Sequence, residues 1–376
     1  MNWKWMASIA LILGATNAPA CRWDRDTLAE EAKGKGLDVL KTIVGHFDRN
    51  PPLYYRTRLD RVAREITEKP GDLNLYDDAG VACDHLGDFD AAIAWMEKKF
   101  KAMDKGEPTD ADRYRYHANL GTFLAHRWFA NKADLNKPQD LDRGIDHIKK
   151  AIAINPEAHF GREVYQLALM EWTRSRTPDD DQEFIGAPIT EYLLDKGLLD
   201  WSEADKAVEG FTGLIRLGNA WESVDVFAGL ADALMHQGNG TLGEAALGRV
   251  LELQDQGKRS ITGWKFEQKT FFEGRPMGHE QDQAQSEFKR LRAEAESWHS
   301  NRTEFMTAKL QRGEHPDTHA DFWSGFDSGS IEVKGIPFYK RTEFLMTAPI
   351  FCVGFVVLAL TIFGVWVVVR VVRARA

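Results

Sequence analysis

The side chains in this 376-residue chain that could do acid–base, nucleophilic or metal chemistry are its histidines, cysteines and clustered aspartates, and few of them converge. A zinc hydrolase of the HExxH type needs two histidines one helical turn apart with a glutamate between them, and no such pattern occurs. His117 and His126 are too far apart to share one helical face as ligands. His315, His319 and Asp321 lie close together and would make at most a weak metal site, and a solvated spacer explains them equally well. Asp179, Asp180 and Asp181 carry enough charge for calcium but lack the glycine and distal glutamate of an ordered calcium loop. No GxSxG elbow, phosphate-binding loop or CxxC pair is present. The pattern predicts no catalytic residues, no metal centre, no cofactor and a non-enzymatic protein.

Bulk properties narrow the partners. The chain has 57 acidic against 48 basic residues, a formal net charge of -9, and no basic stripe interleaved with aromatics, so nucleic acid is not an expected partner. Its 3 cysteines are Cys21, Cys83 and Cys352, too few in so long a chain for a disulfide framework. Most of the tryptophans spread along the body read as packing between helices.

The elements that must position any site are helices, and their pattern repeats. Leu75 to Met96 reads as two helices joined at Gly87-Asp88, with Gly80 and Ala92 where close-packed helices touch and Leu86, Phe89, Ile93 and Met96 as apolar stripes. A second copy runs from Asn119–Leu124 to Leu141–Pro156, interrupted at 128–140 and ending Ala153-Ile154-Asn155-Pro156. A third is split by a long insertion at 174–201, and a fourth runs from Phe227 to Leu251. Over residues 72–256 this resembles the tetratricopeptide repeat family. The resemblance implies an all-α fold, a helical-hairpin solenoid whose first helices line a concave groove for an extended peptide or partner helix. Carried onto the two clear copies, the groove positions are Asn74, Asp77, Val81, Asp84 and His85, then Arg115, Ala118, Thr122, Ala125 and His126. They lack a Lys/Arg clamp for a peptide carboxylate, so a basic or neutral ligand is expected.

Around the repeats, 21–70 reads as an N-terminal helical cap and 257–312 as a C-terminal one, with a long charge-rich helix at Gln281–Leu310. Residues 313–343 read as a juxtamembrane spacer. Phe344–Val369 is an uncharged apolar run, longer than the roughly 20 residues that cross a bilayer, and 370–376 is a basic tail. Residues 1–20 have the layout of a signal peptide, with Cys21 as an alternative lipidation site immediately after the cut. The expectation is a single-pass cell-membrane protein whose body faces the periplasmic side and binds another exported or membrane protein. A self-assembling envelope component and a membrane-tethered hydrolase are the alternatives.

Overall fold

Local signals set the helix ends. Asp72 caps the helix that begins at Leu73, Asp88 caps the one that begins at Phe89, and Gly87 between them takes the left-handed backbone at φ 77°. Thr109 and Asp112 form a reciprocal capping box that starts a helix at Asp110. The computed structural model describes residues 23–25, 38–156, 162–176, 187–261, 263–264, 279–327 and 329. Over these the protein is all-α, with no strand. In chain order the helices are α1 Val39–Val44, α2 Pro52–Glu68, α3 Leu73–His85, α4 Phe89–Met103, α5 Asp110–Ala130, α6 Gln139–Ile154, α7 Arg162–Ser175, α8 Pro188–Asp195, α9 Ala204–Leu217, α10 Val224–His236, α11 Gly240–Asp255 and α12 His279–Gln311.

Packing follows the sequence in pairs: α3 with α4, α5 with α6, α7 with α9 and α10 with α11, each pair also touching the next. Glycine permits the closest approaches. A Cβ on Gly80 would lie 2.9 Å from Met96 and 3.0 Å from Phe123, both fully buried. On Gly121 it would lie 2.9 Å from the Gly144 carbonyl, so the α5 and α6 backbones touch. The interruption expected at 128–140 shrinks to the turn between Ala130 and Gln139, because Trp128 is buried and its indole donates to the carbonyls of Asp134 and Lys137. Within the third copy's insertion the chain forms α8, which packs on α7 and α10.

The flanks differ from their expected roles. Helix α12 packs on α11, as a C-terminal cap would, but also on α1 and α2, so it connects the last pair to the first flank. Helix α1 is not at the open N-terminal end; it packs among α9, α11 and α12. Gly45 ends α1 at φ 82°, where a Cβ would stand 2.5 Å from the Trp221 ring. Phe47 meets that ring edge-on, and the guanidinium carbons of Arg249, Arg49 and Arg292 lie 3.9, 4.8 and 5.1 Å from its centroid. Burial pulls the Arg249 guanidinium down to about 10, against the pull of Glu252.

The first part of the expected spacer, 313–343, is not a free linker. Phe322 is buried against Tyr54, Tyr55, Ala82, Met306 and Leu310, and His315 and Asp317 are buried with it. Among the described residues no helix is long and apolar enough to cross a membrane. Residues 1–20, expected to be a signal peptide, Cys21, Asp179–Asp181 and the apolar run Phe344–Val369 lie outside the described residues.

Candidate functional site: a groove that holds main chain

Helices α3 and α5 pack together and bring several of the groove positions near one another, but mostly not as a solvated surface. Asn74 and His85 are exposed and Arg115 is half-buried. Asp77, Val81, Asp84, Ala118, Thr122, Ala125 and His126 are all buried. The Asp77 and Asp84 carboxylates expected to line an open groove are therefore buried, at 2% exposure each. The physical reason is cover from the chain itself: Trp23 packs with Ala118, Lys99 and Asn119 meet Asp77, His126 meets Asp84, and Gln166 of α7 meets Thr122.

Asp77 organises the floor. Its carboxylate accepts from Lys99 Nζ at 2.6 Å and from Asn119 Nδ2 at 3.0 Å, with Arg115 at 3.5 Å. Burial pushes Asp77 up from the ordinary carboxylate range, while Lys99, Arg115 and Asn119 pull it back. Burial likewise pulls Lys99 down, opposed by Asp77. Because Asn119 must present its NH2 to Asp77, its oxygen is turned the other way. That oxygen accepts from the Trp23 backbone N–H at 2.8 Å, and Nδ2 donates to the Trp23 carbonyl at 3.0 Å. One side-chain amide thus reads both polar atoms of one residue's main chain.

The next two residues are held by different helices. Asp24 accepts from Arg58 of α2 at 3.0 Å. The Arg25 N–H and guanidinium donate to Asp78 of α3 at 3.1 and 2.7 Å. The Trp23 ring packs edge-on against Tyr114 at 5.3 Å, beside Ala118 and Ala151. Trp23, Asp24 and Arg25 therefore cross from α5 to α2 and α3 as an aromatic, an acidic and a basic residue in succession. Arg58 is fully buried and also donates twice to Asp317, at 2.9 and 2.7 Å. Burial alone would raise Asp317, but hydrogen bonds and charge from Arg58 hold it below the usual carboxylate range. Arg61 adds a second guanidinium to the same carboxylate.

The remaining candidates form local pairs. His126 Nδ1 and Asp84 lie 2.7 Å apart, with both side chains buried, and neighbouring Thr122 accepts from Gln166 at 3.1 Å. His85 stacks on Tyr55 at 3.9 Å. His315 engages protein with both ring nitrogens, Nδ1 accepting from the Asp317 N–H at 3.1 Å and Nε2 facing the Tyr54 carbonyl at 3.2 Å. It is not a solvated ligand, and among the described residues no group of three or more His, Cys, Asp or Glu is placed to hold a metal ion. Cys83 is buried, and burial pushes its thiol up to about 11.

Two associations had no signal in the sequence. The first is the capture of Trp23 by Asn119, a separation of 96 residues. The second is His117 with His147, whose Nδ1 atoms are 2.9 Å apart across α5 and α6. Burial, with Lys150 nearby, pulls both imidazoles down to about 4, so one neutral ring donates to the other. Comparison with protein-family models, curated proteins and solved structures returned no match to this chain.

Proposed function

We propose that this protein is a non-enzymatic interaction scaffold, a tetratricopeptide-like solenoid tethered by its C-terminal apolar run to the outer face of a membrane, that binds another exported or membrane protein. The observation that carries this reading is Asn119, fixed by Asp77 and Lys99 so that its amide meets the main-chain N–H and C=O of a single residue, Trp23, at 2.8 and 3.0 Å. Main-chain capture of this kind suits an extended segment of a partner, and tethering would raise the local concentration of both near the bilayer. The buried state of Asp84, His126 and Thr122 favours this reading over a hydrolase built on the same helices.

The test is photo-crosslinking of the full-length protein in its native membrane. A crosslinking residue is placed at exposed Asn74 or His85 on the groove edge, and for comparison at exposed Lys101 of α4. The scaffold reading expects one partner band from the α3 positions and none from Lys101. Equal labelling from both faces, or none from either, overturns it.

A further inference from the structure

We infer that the groove of α2, α3 and α5 is a peptide-exchange site whose resident ligand is the chain's own Trp23-Asp24-Arg25, and that a partner enters by displacing it with a segment of the same aromatic–acidic–basic chemistry. This rests on the scaffold reading and adds to it the ligand class and a built-in competitor.

The groups that meet Trp23 and Asp24 are held by one another, whereas Asp78 has its described hydrogen bonds and ion pair to Arg25 of the segment itself. Lys99 and Arg115 position Asp77, and Asp77 orients Asn119. Asp317 holds Arg58 with two hydrogen bonds and engages Arg61 as well. Withdrawing residues 23–25 would leave these contacts standing, so the site would be preorganised for a replacement. Each position selects a residue type. The slot beside Tyr114, Ala118 and Ala151 takes a flat apolar ring. Arg58 takes a carboxylate and Asp78 takes a cation. Asn119 contacts only the main chain of this segment, so it adds affinity without selecting a side chain.

The resident segment is buried at Trp23 and Asp24 and opens to solvent at Arg25. Its described contacts are three residues long, and the Arg25 side chain remains 35% exposed. Its advantage over a free peptide is that it is on the same chain, where the effective concentration of a tethered ligand is of the order of millimolar. A partner segment must overcome that advantage, or act when the N-terminal segment is engaged elsewhere.

The experiment uses full-length protein in detergent micelles and a fluorescent peptide with the sequence of residues 22–27, Arg-Trp-Asp-Arg-Asp-Thr. Wild type is compared with Trp23→Ala/Arg25→Ala, after cooperative unfolding has shown that the variant stays folded. The peptide should bind the variant at least tenfold more tightly than wild type. Adding Asn119→Leu to the variant, or replacing the peptide's tryptophan by alanine, should remove that gain. Independently of any variant, excess peptide should accelerate amide hydrogen exchange at residues 23–25 of wild type. Equal binding to wild type and variant, or unchanged exchange, overturns the inference. If peptide exchange fails while crosslinking from His85 still captures a partner, the scaffold stands and only the cis ligand falls. If peptide exchange succeeds and crosslinking captures no partner, the cis ligand stands and the scaffold falls.

Discussion

The two halves of the helical array are both filled by the chain's own N-terminal region, yet with a different balance of contacts. Against α2, α3 and α5, residues 23–25 are held by directional hydrogen bonds and ion pairs, among them an amide that contacts only their main chain. Against α9, α11 and α12, residues 39–49 add shape to a few polar contacts: Asp48 pairs with Arg302 at 3.1 Å and Arg49 with Glu296 at 3.4 Å, while Gly45 lies on Trp221, Phe47 meets its edge and Arg49, Arg249 and Arg292 surround the ring. Directional contacts can be copied by another peptide presenting the same groups. A glycine seated on an indole cannot be copied without the same backbone conformation. The first half is therefore built like a binding site and the second like a core.

The sharpest way to break the first half is Asp77→Ala. It would leave the Lys99 ammonium, which has no exposed surface, without the carboxylate 2.6 Å away. Removing one partner of a buried pair costs about 3–5 kcal/mol, and denaturant unfolding should show a loss of that order. Asp77→Ala/Lys99→Met should recover most of it, because the stranded charge is gone. If the single variant loses under about 1 kcal/mol, the floor is not the rigid platform described.

The second half is best probed by Gly45→Ala, which adds a Cβ 2.5 Å from Trp221 at a φ of 82°. Strain of this kind costs roughly 1–3 kcal/mol, read as a lower unfolding midpoint. Peptide exchange at the first half should be unaffected, and a change there would erase the distinction between the two halves.

A smaller effect comes from pH. His117 and His147 are pulled from 6.5 to about 4 in the folded protein. The unfolded chain therefore binds more protons between those values, and stability falls as pH drops from about 6.5 toward about 4. His117→Gln/His147→Gln should flatten that slope in urea titrations at pH 7 and pH 5. An unchanged slope would assign the pH dependence to groups elsewhere, such as His299 in the second half.

What can be read from the sequence is what neighbouring residues decide. The turn at Gly87-Asp88, the start of α2 behind Pro51-Pro52 and the long α12 follow from capping and period, which act over a few residues. The true start of α5, nine residues before Asn119, is set by the Thr109–Asp112 capping box, a signal that the apolar stripe beginning near Asn119 does not contain. That α3 and α5 pack side by side follows from their apolar stripes, but the exposure of the polar residues between them is not legible. Asp77 on a helix looks the same whether water or Lys99 faces it. The cover comes from residues as distant as Trp23 and Gln166, and no local pattern in a glycine- and aspartate-rich stretch says that Phe322 and Asp317 will be buried.

Arg58 receives Asp24 from one end of the described chain and Asp317 from the other, the latter 259 residues away. Contacts this distant in sequence close late, because the entropy of a long loop is lost before the contact forms to offset it. A chain that is made and released from its N-terminus would present Asp24 to Arg58 well before Asp317 exists. Asp24 can then reach Arg58 while the protein is still incomplete, and Asp317 joins the same arginine later. Assembly order alone would favour the resident segment over any competitor present during synthesis.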